Sequence, residues 1–538
     1  MRGRLAAAAA RFGQLGRVWA APSDTAIAAR AFDRAYYLRT YADVAEVGCD
    51  PLEHFMEFGW REGRDPTSEF SVASYLAVFP QVAASGANPF VHYLTHGRPK
   101  AAPPESPLGF RFEVIEQLET VDARMARDRS VAVEVGTESD LAAALAQSRG
   151  GLAGLHVTFS HDDYSTNLGG LQLTIGREAA RLAELGRDHL HLYSARPWGR
   201  VRTADEPEAL GVIWNGEAEG AFMTETIVRV LGKVATGNPS GRSFAIHSLL
   251  GHAPDEVADI LTAVGLRQGV FWLHDFASLC AGFHLLRNEV EDCAAPPPDS
   301  PACGVCIHGP WRPRHIQAHA RLFERLSLTV AAPSQVTLDL WRASTDLPAA
   351  GTIVLPHARL ALKGAARLPS LKRPFRFAYA GLPVAHKGWP AFCALAARFI
   401  NDPRYEFIHL GARRDPSMPF RFETVVGGPT NPTAMKDALL AAEADAVLVW
   451  PLCRETFSFV AYEAVAAGCA VVTGPGSGNV AAFVSETGHG QVLSGEAALA
   501  EAFASGAILQ LARARRRPML YDLIYSALTL DLATTPTP

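Results

Sequence analysis

Short apolar runs alternate with longer amphipathic segments from Gly154 onward, which is the pattern of βα units in a parallel sheet. One unit is clearest. The apolar run 446–450 predicts a buried strand, the segment up to Ala467 predicts a helix that Gly468 ends, and 470–473 predicts a second strand. Because parallel sheets bind ligands at the carboxyl ends of their strands, a site is expected between these strands and the helix.

Two carboxylates, Glu455 and Glu463, lie at that position, eight residues apart. On one continuous helix they would be about 12 Å apart along the axis, so a small ligand is better served with Glu455 in the loop and Glu463 on the helix. The helix N-terminus near Ser458 supplies free N–H groups and a partial positive charge, which suit phosphate. This arrangement predicts a site for a sugar joined to a nucleotide diphosphate.

The residues around this pair resemble a known signature. Glu455-x7-Glu463, within Pro-x-x-x-Glu-Thr-Phe-Ser and before AVAAGCAVV, is similar to the signature of retaining glycosyltransferases of family 4. The resemblance implies a GT-B fold, an α/β architecture of two Rossmann-like domains with a cleft between them. It implies that Glu455 contacts the donor sugar and that Glu463 holds the ribose. The backbone of Thr456, Phe457 and Ser458 would cradle the diphosphate. The alternative is an ordinary βα unit with a surface glutamate at each end.

Two further matches lie in the predicted first domain. Gly169 and Gly170 open a predicted helix after its first strand and resemble the family's first βα turn, where glycines allow close approach of the donor phosphate and the acceptor. His247 ends a predicted strand and matches a family histidine near the donor sugar, which makes it a candidate catalytic residue. A structural histidine is the alternative. His274 and Asp275, after the next predicted strand, are candidates to orient a loop or meet the acceptor.

In the predicted second domain, Lys387-Gly388 resembles the Lys-Gly of the family's donor domain, where the lysine neutralises diphosphate. The family usually has an arginine after the glycine of the preceding strand, but here that residue is Leu382. Arg413 or Arg414, after the next predicted strand, could supply the missing charge.

No D-x-D sequence occurs in the chain, so a diphosphate held by a metal ion is not expected. Lys387 and helix N-terminal amides would stabilise the leaving group without a cofactor. The family resemblance implies retention of anomeric configuration.

Half of the eight cysteines fall within 27 residues, around a loop rich in proline and glycine. Cys280, Cys293, Cys303 and Cys306 could hold a structural zinc ion, and Cys303-x2-Cys306 is a normal ligand pair. The wide spacing between Cys280 and Cys293 is an imperfect match to a zinc ribbon. Buried thiols and disulfides are the alternatives. An all-cysteine shell leaves no open position for substrate, so no catalytic role is implied.

Residues 32–69 and 70–106 repeat with an offset of 38 and no gap, which predicts a duplicated helical hairpin. The matching positions include Phe32 and Phe70, Tyr37 and Tyr75, Val44 and Val82, Gly48 and Gly86, Pro51 and Pro89, and His54 and His92. The repeat resembles short modules attached to some bacterial surface-glycan glycosyltransferases. Its aromatic residues are interpreted as hairpin core, with contact to a glycan, a partner protein or a membrane surface as the alternative.

These patterns predict six segments. They are an N-terminal tail (1–31), the repeats (32–106), a helical connector (107–150), a first Rossmann-like acceptor domain (151–365) with a cysteine-rich insertion (280–306), a second Rossmann-like donor domain (366–515), and a basic C-terminal helix and tail (516–538).

Composition narrows the class of protein. A net charge of −5 gives no electrostatic argument for binding nucleic acid. No uncharged apolar run is long enough for a transmembrane helix. Few cysteines for the length favour a reducing cytoplasm, with a peripheral position at the inner face of the membrane as a further option.

The expected function is transfer of a sugar from a nucleotide-diphosphate donor to a glycan or lipid-linked acceptor in bacterial surface polysaccharide biosynthesis. Two alternatives stay open. One is a non-catalytic scaffold that binds glycan or nucleotide, and the other is a different GT-B enzyme, such as a nucleotide-sugar epimerase.

Overall fold

In a computed structural model, the described residues are 23–68, 70–79, 82, 85–96, 109–167, 169–369, 372–416, 418–428 and 431–534. The chain divides into two compact units, Met1–Gly109 and Phe110–Pro538. Residues 1–22, which are most of the predicted N-terminal tail, and residues 97–108, around the predicted boundary between repeats and connector, lie outside the described residues.

The first unit consists of short helices whose aromatic side chains form one core. Tyr37 and His54 are hydrogen-bonded through Oη and Nδ1 (3.0 Å), and the repeat reproduces this bond between Tyr75 and His92 (2.7 Å). The start of the first repeat forms two helices, because Tyr41 leaves the helical conformation between them (φ −116°, ψ 82°). The helices are Asp24–Ala28, Arg34–Thr40, Ala42–Val47, Pro51–His54, a π-helical turn Phe55–Gly59, Val72–Val78 and Pro89–Thr95.

The second unit begins with helices and a large sheet. The strands are β1 (His156–Ser160), β2 (His189–Ser194), β3 (Ala209–Trp214), β4 (Glu217–Met223), β5 (Ser243–Ile246), β6 (Gln268–Trp272), a small hairpin of β7 (Leu286–Arg287) and β8 (Glu291–Asp292), β9 (Ser327–Ala332), β10 (Gly351–Val354) and the linker strand β11 (Ala358–Ala365). Among the described residues the sheet order is β10-β9-β6-β5-β1-β2-β3-β4. The first six of these strands are parallel, whereas β3 and β4 extend one edge antiparallel. That antiparallel edge was not predicted from sequence.

Strands β1, β2 and β3 are almost wholly buried, whereas the edge strands β4 and β10 are partly exposed. Helices accompany the strands in this part of the chain. They are Phe110–Glu116, Val121–Asp128, Glu138–Leu145, Gly170–Glu184, Thr224–Val234, Pro254–Ala263, Pro301–Gly304, Arg312–Arg325 and Gln335–Ser344, with 3₁₀ turns at Pro239–Gly241 and Gly309–Trp311.

The second sheet is wholly parallel across its described strands. They are β12 (Phe375–Ala380), β13 (Tyr405–Gly411), β14 (Arg421–Thr424), β15 (Ala446–Leu448), β16 (Ala470–Thr473) and β17 (Gly490–Val492), in the order β14-β13-β12-β15-β16-β17. Its helices are Trp389–Phe399, Ala434–Ala441, Phe459–Ala466, Asn479–Thr487, Glu496–Ala504 and Arg513–Arg516, with 3₁₀ turns at Ala385–Lys387 and Ala507–Leu511. Two Rossmann-like domains therefore follow one another, which confirms the predicted GT-B fold class.

The predicted basic C-terminal helix is wrong for most of its length. Residues 519–525 form strand β18 (Met519–Tyr525), which pairs antiparallel with the linker strand β11. The alternating sequence MLYDLIY suits a strand with two different faces. Helix Thr529–Thr534 follows, and Trp272 Nε1 of the first domain donates to Thr529 Oγ1 (3.1 Å). The chain thus returns to its first Rossmann-like domain.

Within the part of the chain that the structure describes, no helix combines the length and apolar character needed to cross a bilayer.

Candidate functional site

Lys387 and Glu455 form an ion pair at the carboxyl edge of the second sheet. Lys387 follows β12 in the turn Ala385–Lys387, and Glu455 lies in the loop after β15. The Lys387 Nζ to Glu455 Oε1 distance is 2.5 Å. The Glu455 side chain is 14% exposed and that of Lys387 45%, so the pair lies at the border between protein and solvent.

The turn that carries Lys387 is fixed by backbone contacts. Gly388 has φ +85°, and a Cβ there would lie 2.0 Å from the carbonyl oxygen of Trp450. The backbone N–H of Leu452 donates to the carbonyl of His386 (2.8 Å). The glycine of the Lys-Gly pair is therefore required because the turn packs directly against the end of the neighbouring strand.

The loop that carries Glu455 is held by the glycine-rich turn after β16. Gly478 has φ +61°, and a Cβ there would lie 2.6 Å from the Glu455 carbonyl oxygen. The backbone N–H of Asn479 donates to that carbonyl (2.8 Å), and its side-chain amide donates to the carbonyl of Phe457 (2.8 Å). The loop of Glu455 and the turn after β16 are thus held together by backbone contacts.

Electrostatics keep both members of the pair charged. Burial pushes the pKa of Glu455 upward, but the Lys387 ammonium more than offsets this, so its pKa lies below the ordinary value. Burial likewise opposes the charge on Lys387, and the Glu455 carboxylate reverses the effect and raises its pKa. A cation is therefore retained at the carboxyl edge of the second sheet.

The helix after Glu455 begins as predicted, at Phe459, with Ser458 as its N-cap residue in a left-handed conformation (φ 73°). The backbone N–H groups of Phe457 and Ser458 have no acceptor among the described residues. The Phe457 ring is buried against Tyr462 (centroids 4.4 Å apart), so Phe457 offers only its backbone to a ligand. Free N–H groups at a helix start suit a phosphate group.

Glu463 lies one turn into that helix, in a contrasting environment. Its carboxylate makes no hydrogen bond or ion pair within the described residues. Burial raises the pKa of Glu463 to about 7, and the Arg177 guanidinium of the first domain offsets only part of this shift. A half-buried carboxylate without a partner is available to accept hydrogen bonds from ligand hydroxyls.

The loop that carries Glu455 (449–458), called the donor loop below, contacts the first Rossmann-like domain. Thr456 Oγ1 donates to the carbonyl of His274 (3.0 Å), and Ser334 Oγ donates to the carbonyl of Thr456 (2.8 Å). Gly170 faces Phe459, and a Cβ at Gly170 would lie 3.3 Å from that ring. The predicted glycines Gly169 and Gly170 do begin helix Gly170–Glu184. Because Gly170 has no side chain, the two Rossmann-like domains can approach each other closely at this point.

His247 is fully buried, and both of its ring nitrogens are engaged by protein groups. Nε2 lies 2.9 Å from Oε2 of Glu178, and Nδ1 lies 2.9 Å from Nε2 of His274. His274 Nδ1 in turn lies 3.2 Å from Nε2 of His357. Any effect of His247 on a reacting centre would therefore pass through His274, whose carbonyl holds Thr456.

Glu178 anchors this chain of histidines and was not found by sequence reasoning. Burial alone would raise its pKa, but the hydrogen bond from His247 and nearby histidine charge lower the pKa to about 2. Its Oε1 also accepts from the backbone N–H of Thr529 (3.1 Å) in the C-terminal segment. A glutamate inside an amphipathic helix carries no signal of this role, because its partners come from distant segments.

The four cysteines of the insertion are free thiols, so the disulfide alternative is not what the structure contains. Across the described residues, no group of three or more histidine, cysteine or acidic side chains is arranged to hold a metal ion. Cys303 Sγ instead accepts from Nη1 of Arg312 (3.1 Å). The zinc site at Cys280, Cys293, Cys303 and Cys306 stays a prediction.

The missing family arginine leaves an exposed Leu382 beside the site. Arg413 and Arg414 follow β13, the neighbour of β12, and are also exposed. They stay candidates for the second cation.

No protein-family model matches the chain, and no curated protein matches it. Solved structures with a similar fold include a sucrose-phosphate synthase from Thermosynechococcus elongatus, with a TM-score of 0.43 and 14% identity over 67% of this chain and 92% of that one. Anabaena HepE in complex with UDP and glucose has a TM-score of 0.41 and 14% identity, over 67% of this chain and 92% of that one. WaaG, a glycosyltransferase involved in lipopolysaccharide biosynthesis, has a TM-score of 0.38 and 14% identity, over 67% of this chain and 94% of that one. Similarity at this level carries no argument about activity, which rests on the site itself.

Proposed function

We propose that the protein is a retaining glycosyltransferase that moves a sugar from a nucleotide-diphosphate donor to a glycan or lipid-linked acceptor. The observation that carries this proposal is the Lys387–Glu455 ion pair at the carboxyl edge of the second sheet, with the unpartnered carboxylate of Glu463 on the following helix. A cation, a free helix start and two carboxylates with different surroundings match the parts of a nucleotide sugar.

Each part of the donor has a complementary group. The ribose hydroxyls would donate to Glu463, and the diphosphate would meet Lys387 and the N–H groups of Phe457 and Ser458. Glu455, held beside Lys387, would accept from hydroxyls of the donor sugar. Arg413 or Arg414 would supply a second cation on the diphosphate, and no metal ion is required.

The reaction we propose is a displacement on one face of the sugar. The acceptor oxygen forms a bond to the anomeric carbon on the face from which the diphosphate departs. The bond from that carbon to the β-phosphate oxygen breaks, its electron pair stays on the phosphate, and that oxygen takes the acceptor's proton. Lys387 and the helix amides stabilise the negative charge that develops there.

Glu455 has the surroundings of a positioning group. Its ion pair with Lys387 keeps it charged and fixed, which suits hydrogen bonding to the sugar. His247 would act indirectly, by holding His274 and, through its carbonyl, Thr456.

The test is nucleotide release from a panel of UDP-, GDP-, ADP- and dTDP-sugars. One donor is expected to be hydrolysed slowly by the wild type, and Glu455→Gln and Lys387→Met are each expected to lower that rate roughly 100- to 1,000-fold. Lys363→Met, which removes only an exposed ion pair with Asp522 on the linker strands, is the control. Equal rates in all four proteins would contradict the proposal.

A non-catalytic scaffold is the alternative that Leu382 favours, since one expected cation is absent from its usual position. A scaffold would bind a nucleotide sugar without cleaving it, so no free nucleotide would form. A GT-B epimerase would instead change the sugar of its donor in the absence of any acceptor.

The setting we propose is assembly of bacterial surface polysaccharide in the cytoplasm, with the enzyme peripheral at the inner face of the membrane. The duplicated hairpins would serve as an interaction module for a protein or membrane surface. Such a contact would map to the exposed apolar side chains of Val47 and Phe58 on the first hairpin.

A further inference from the structure

A cavity of about 170 Å³ lies in the first Rossmann-like domain, beside the donor loop. Its wall includes Arg124, Phe283, His284, Glu289 and His308. Arg124 comes from the connector helix Val121–Asp128, and the other four come from the cysteine-rich insertion and the residues just after it. These two segments had no assigned role in the reaction.

The cavity adjoins the proposed donor site. The ring of His284 lines the cavity and stacks on the ring of His386 (centroids 5.0 Å apart, 26° between planes), the residue before Lys387. Arg454, the residue before Glu455, forms an ion pair with Asp292 on strand β8 of the insertion. Its single Nε–H is shared between both carboxylate oxygens (2.9 and 3.0 Å), and its Nη2 lies 2.7 Å from Oδ2. The insertion is therefore clamped to both loops that carry the Lys387–Glu455 pair.

The tip of the β7–β8 hairpin presents a carboxylate to the cavity. Asn288 and Glu289 both adopt positive φ (49° and 62°), a conformation that non-glycine residues rarely take and that recurs at functional sites. The Asn288 side chain holds the hairpin by donating to the carbonyl of Val305 and accepting from the N–H of Ile307, both at 3.0 Å. The backbone strain is thus supported by specific contacts.

Only one oxygen of Glu289 is used by the protein. Oε1 lies 3.0 Å from His308 Nε2 and 3.3 Å from both terminal nitrogens of Arg124. Oε2 has no partner among the described residues. Burial opposes ionisation, but the bond to His308 and the neighbouring charges lower the pKa of Glu289 to about 2, so the carboxylate is charged. Oε2 is thus a strong acceptor without a donor, on a residue that lines the cavity.

The charges select the kind of ligand. Arg124 and Glu289 cancel each other, and burial lowers the pKa of His284 to about 3, so this ring is neutral at physiological pH. An anion would meet the Glu289 carboxylate, whereas adjacent hydroxyls can donate to Oε2 and accept from Arg124 at once. Phe283 adds an aromatic surface for the apolar face of a sugar ring. A cavity of this size holds one small ring, because drug-sized ligands occupy pockets of roughly 300–1,000 Å³.

We infer that this cavity is the acceptor subsite and binds one neutral pyranose unit of the acceptor, with Glu289 and Arg124 as its specificity-determining hydrogen-bonding groups. The inference rests on the proposed function, since it supplies the second substrate of the same reaction. In this interpretation the cysteine-rich insertion and the connector helix form the wall of the acceptor subsite, next to the loops that carry Lys387 and Glu455.

The test uses the full chain and methyl pyranosides of glucose, galactose, mannose, rhamnose and N-acetylglucosamine as probes. Ligand-observed NMR measures their binding without donor, and the ratio of sugar transfer to donor hydrolysis measures their use. At least one pyranoside is expected to bind the wild type. Glu289→Gln and Arg124→Met should each weaken it by roughly tenfold or more, since each removes a charged hydrogen-bonding group.

Two further variants keep the test independent of damage to the hairpin. Gly199 also lines the cavity, and a Cβ there would meet no atom within 4 Å, so Gly199→Leu should fill the cavity without disturbing the polar groups. Arg127→Met removes an arginine from the same helix that pairs with Glu119 instead, and it should behave as the wild type.

The outcomes separate the two proposals. Pyranoside binding lost in Glu289→Gln, Arg124→Met and Gly199→Leu but kept in Arg127→Met supports the subsite. If the wild type binds no pyranoside, or if Gly199→Leu and Glu289→Gln bind as the wild type does, the subsite is overturned even when donor is hydrolysed. If pyranosides bind as expected but no donor is turned over, the sugar site stands and the proposed transferase activity falls.

Discussion

At the scale of single residues, the two glutamates of the Glu455-x7-Glu463 pair lie in contrasting electrostatic environments. Glu455 is paired with Lys387 and its pKa is lowered, while Glu463 is half-buried without a partner and its pKa is raised to about 7. Spacing alone predicted their placement on loop and helix. It could not predict the environments, since these depend on Lys387 and Arg177, which are remote in sequence.

The raised pKa of Glu463 predicts a pH dependence of donor binding. Below about pH 7 the side chain is protonated and accepts hydrogen bonds poorly, so the KM for the donor should fall as the pH rises from about 6 to about 8. Glu463→Gln should show a larger KM at the upper end and a flat profile. Steady-state nucleotide release across this range measures both effects.

The same shift has the opposite sign for stability. A carboxyl whose folded-state pKa lies above its ordinary value loses stabilisation as the pH rises from about 4.5 to about 7, because it resists charging in the folded state. Glu463→Gln removes this cost and should raise the free energy of unfolding at pH 8 by roughly 1–3 kcal/mol. Denaturant unfolding at pH 5 and pH 8 checks it, and a variant less stable than the wild type at pH 8 would contradict the assignment.

At the scale of elements, backbone contacts between loops place the site. The turn with Lys387 packs on the end of β15, and the turn with Gly478 packs on the loop of Glu455. The sequence indicated the Lys387-Gly388 turn, but it did not indicate that Gly388 lies directly against a neighbouring carbonyl. The C-terminal segment shows the reverse case, because its arginine-rich start suggested a helix while pairing with β11 makes it a strand.

Gly388 is the element-scale test. Its φ of +85° and the 2.0 Å approach of a Cβ to the Trp450 carbonyl predict that Gly388→Ala lowers the free energy of unfolding by roughly 1–3 kcal/mol or more. It should also lower donor turnover, since Lys387 would move. Gly476→Ala is the matched control, because a Cβ there meets nothing within 4 Å and its φ is not positive. Equal melting temperatures for the two variants would show that the turn tolerates the change.

At the scale of the whole molecule, residues 110–538 form a compact unit that contains every group of the proposed donor and acceptor sites. A chain that begins at Phe110 should therefore fold and hydrolyse donor at a rate close to that of the full chain. Circular dichroism and nucleotide release measure this. Loss of turnover in a folded truncated protein would show that the duplicated hairpins contribute to the reaction.

The sequence by itself determined the elements whose signals are local. Apolar runs and glycine stops predicted βα units with Glu455, Lys387 and Gly170 at the starts of helices and ends of strands, and the 38-residue repeat predicted the helical module. The family resemblance implied that the βα units form two Rossmann-like domains. These follow from periodicity and backbone preference, which act over a few residues.

Only the tertiary structure decided which of these groups meet. The Lys387–Glu455 pair, the chain from Glu178 to His357, and the cavity between the connector helix and the insertion each join segments far apart in sequence. Contacts between distant segments bury the candidate residues and place opposite charges beside them. Burial and charge in turn set the pKa and the hydrogen-bonding state of these residues. No local sequence pattern specifies the pKa or the hydrogen-bonding state, because the same residue exposed to solvent would have the same sequence neighbours and a different pKa.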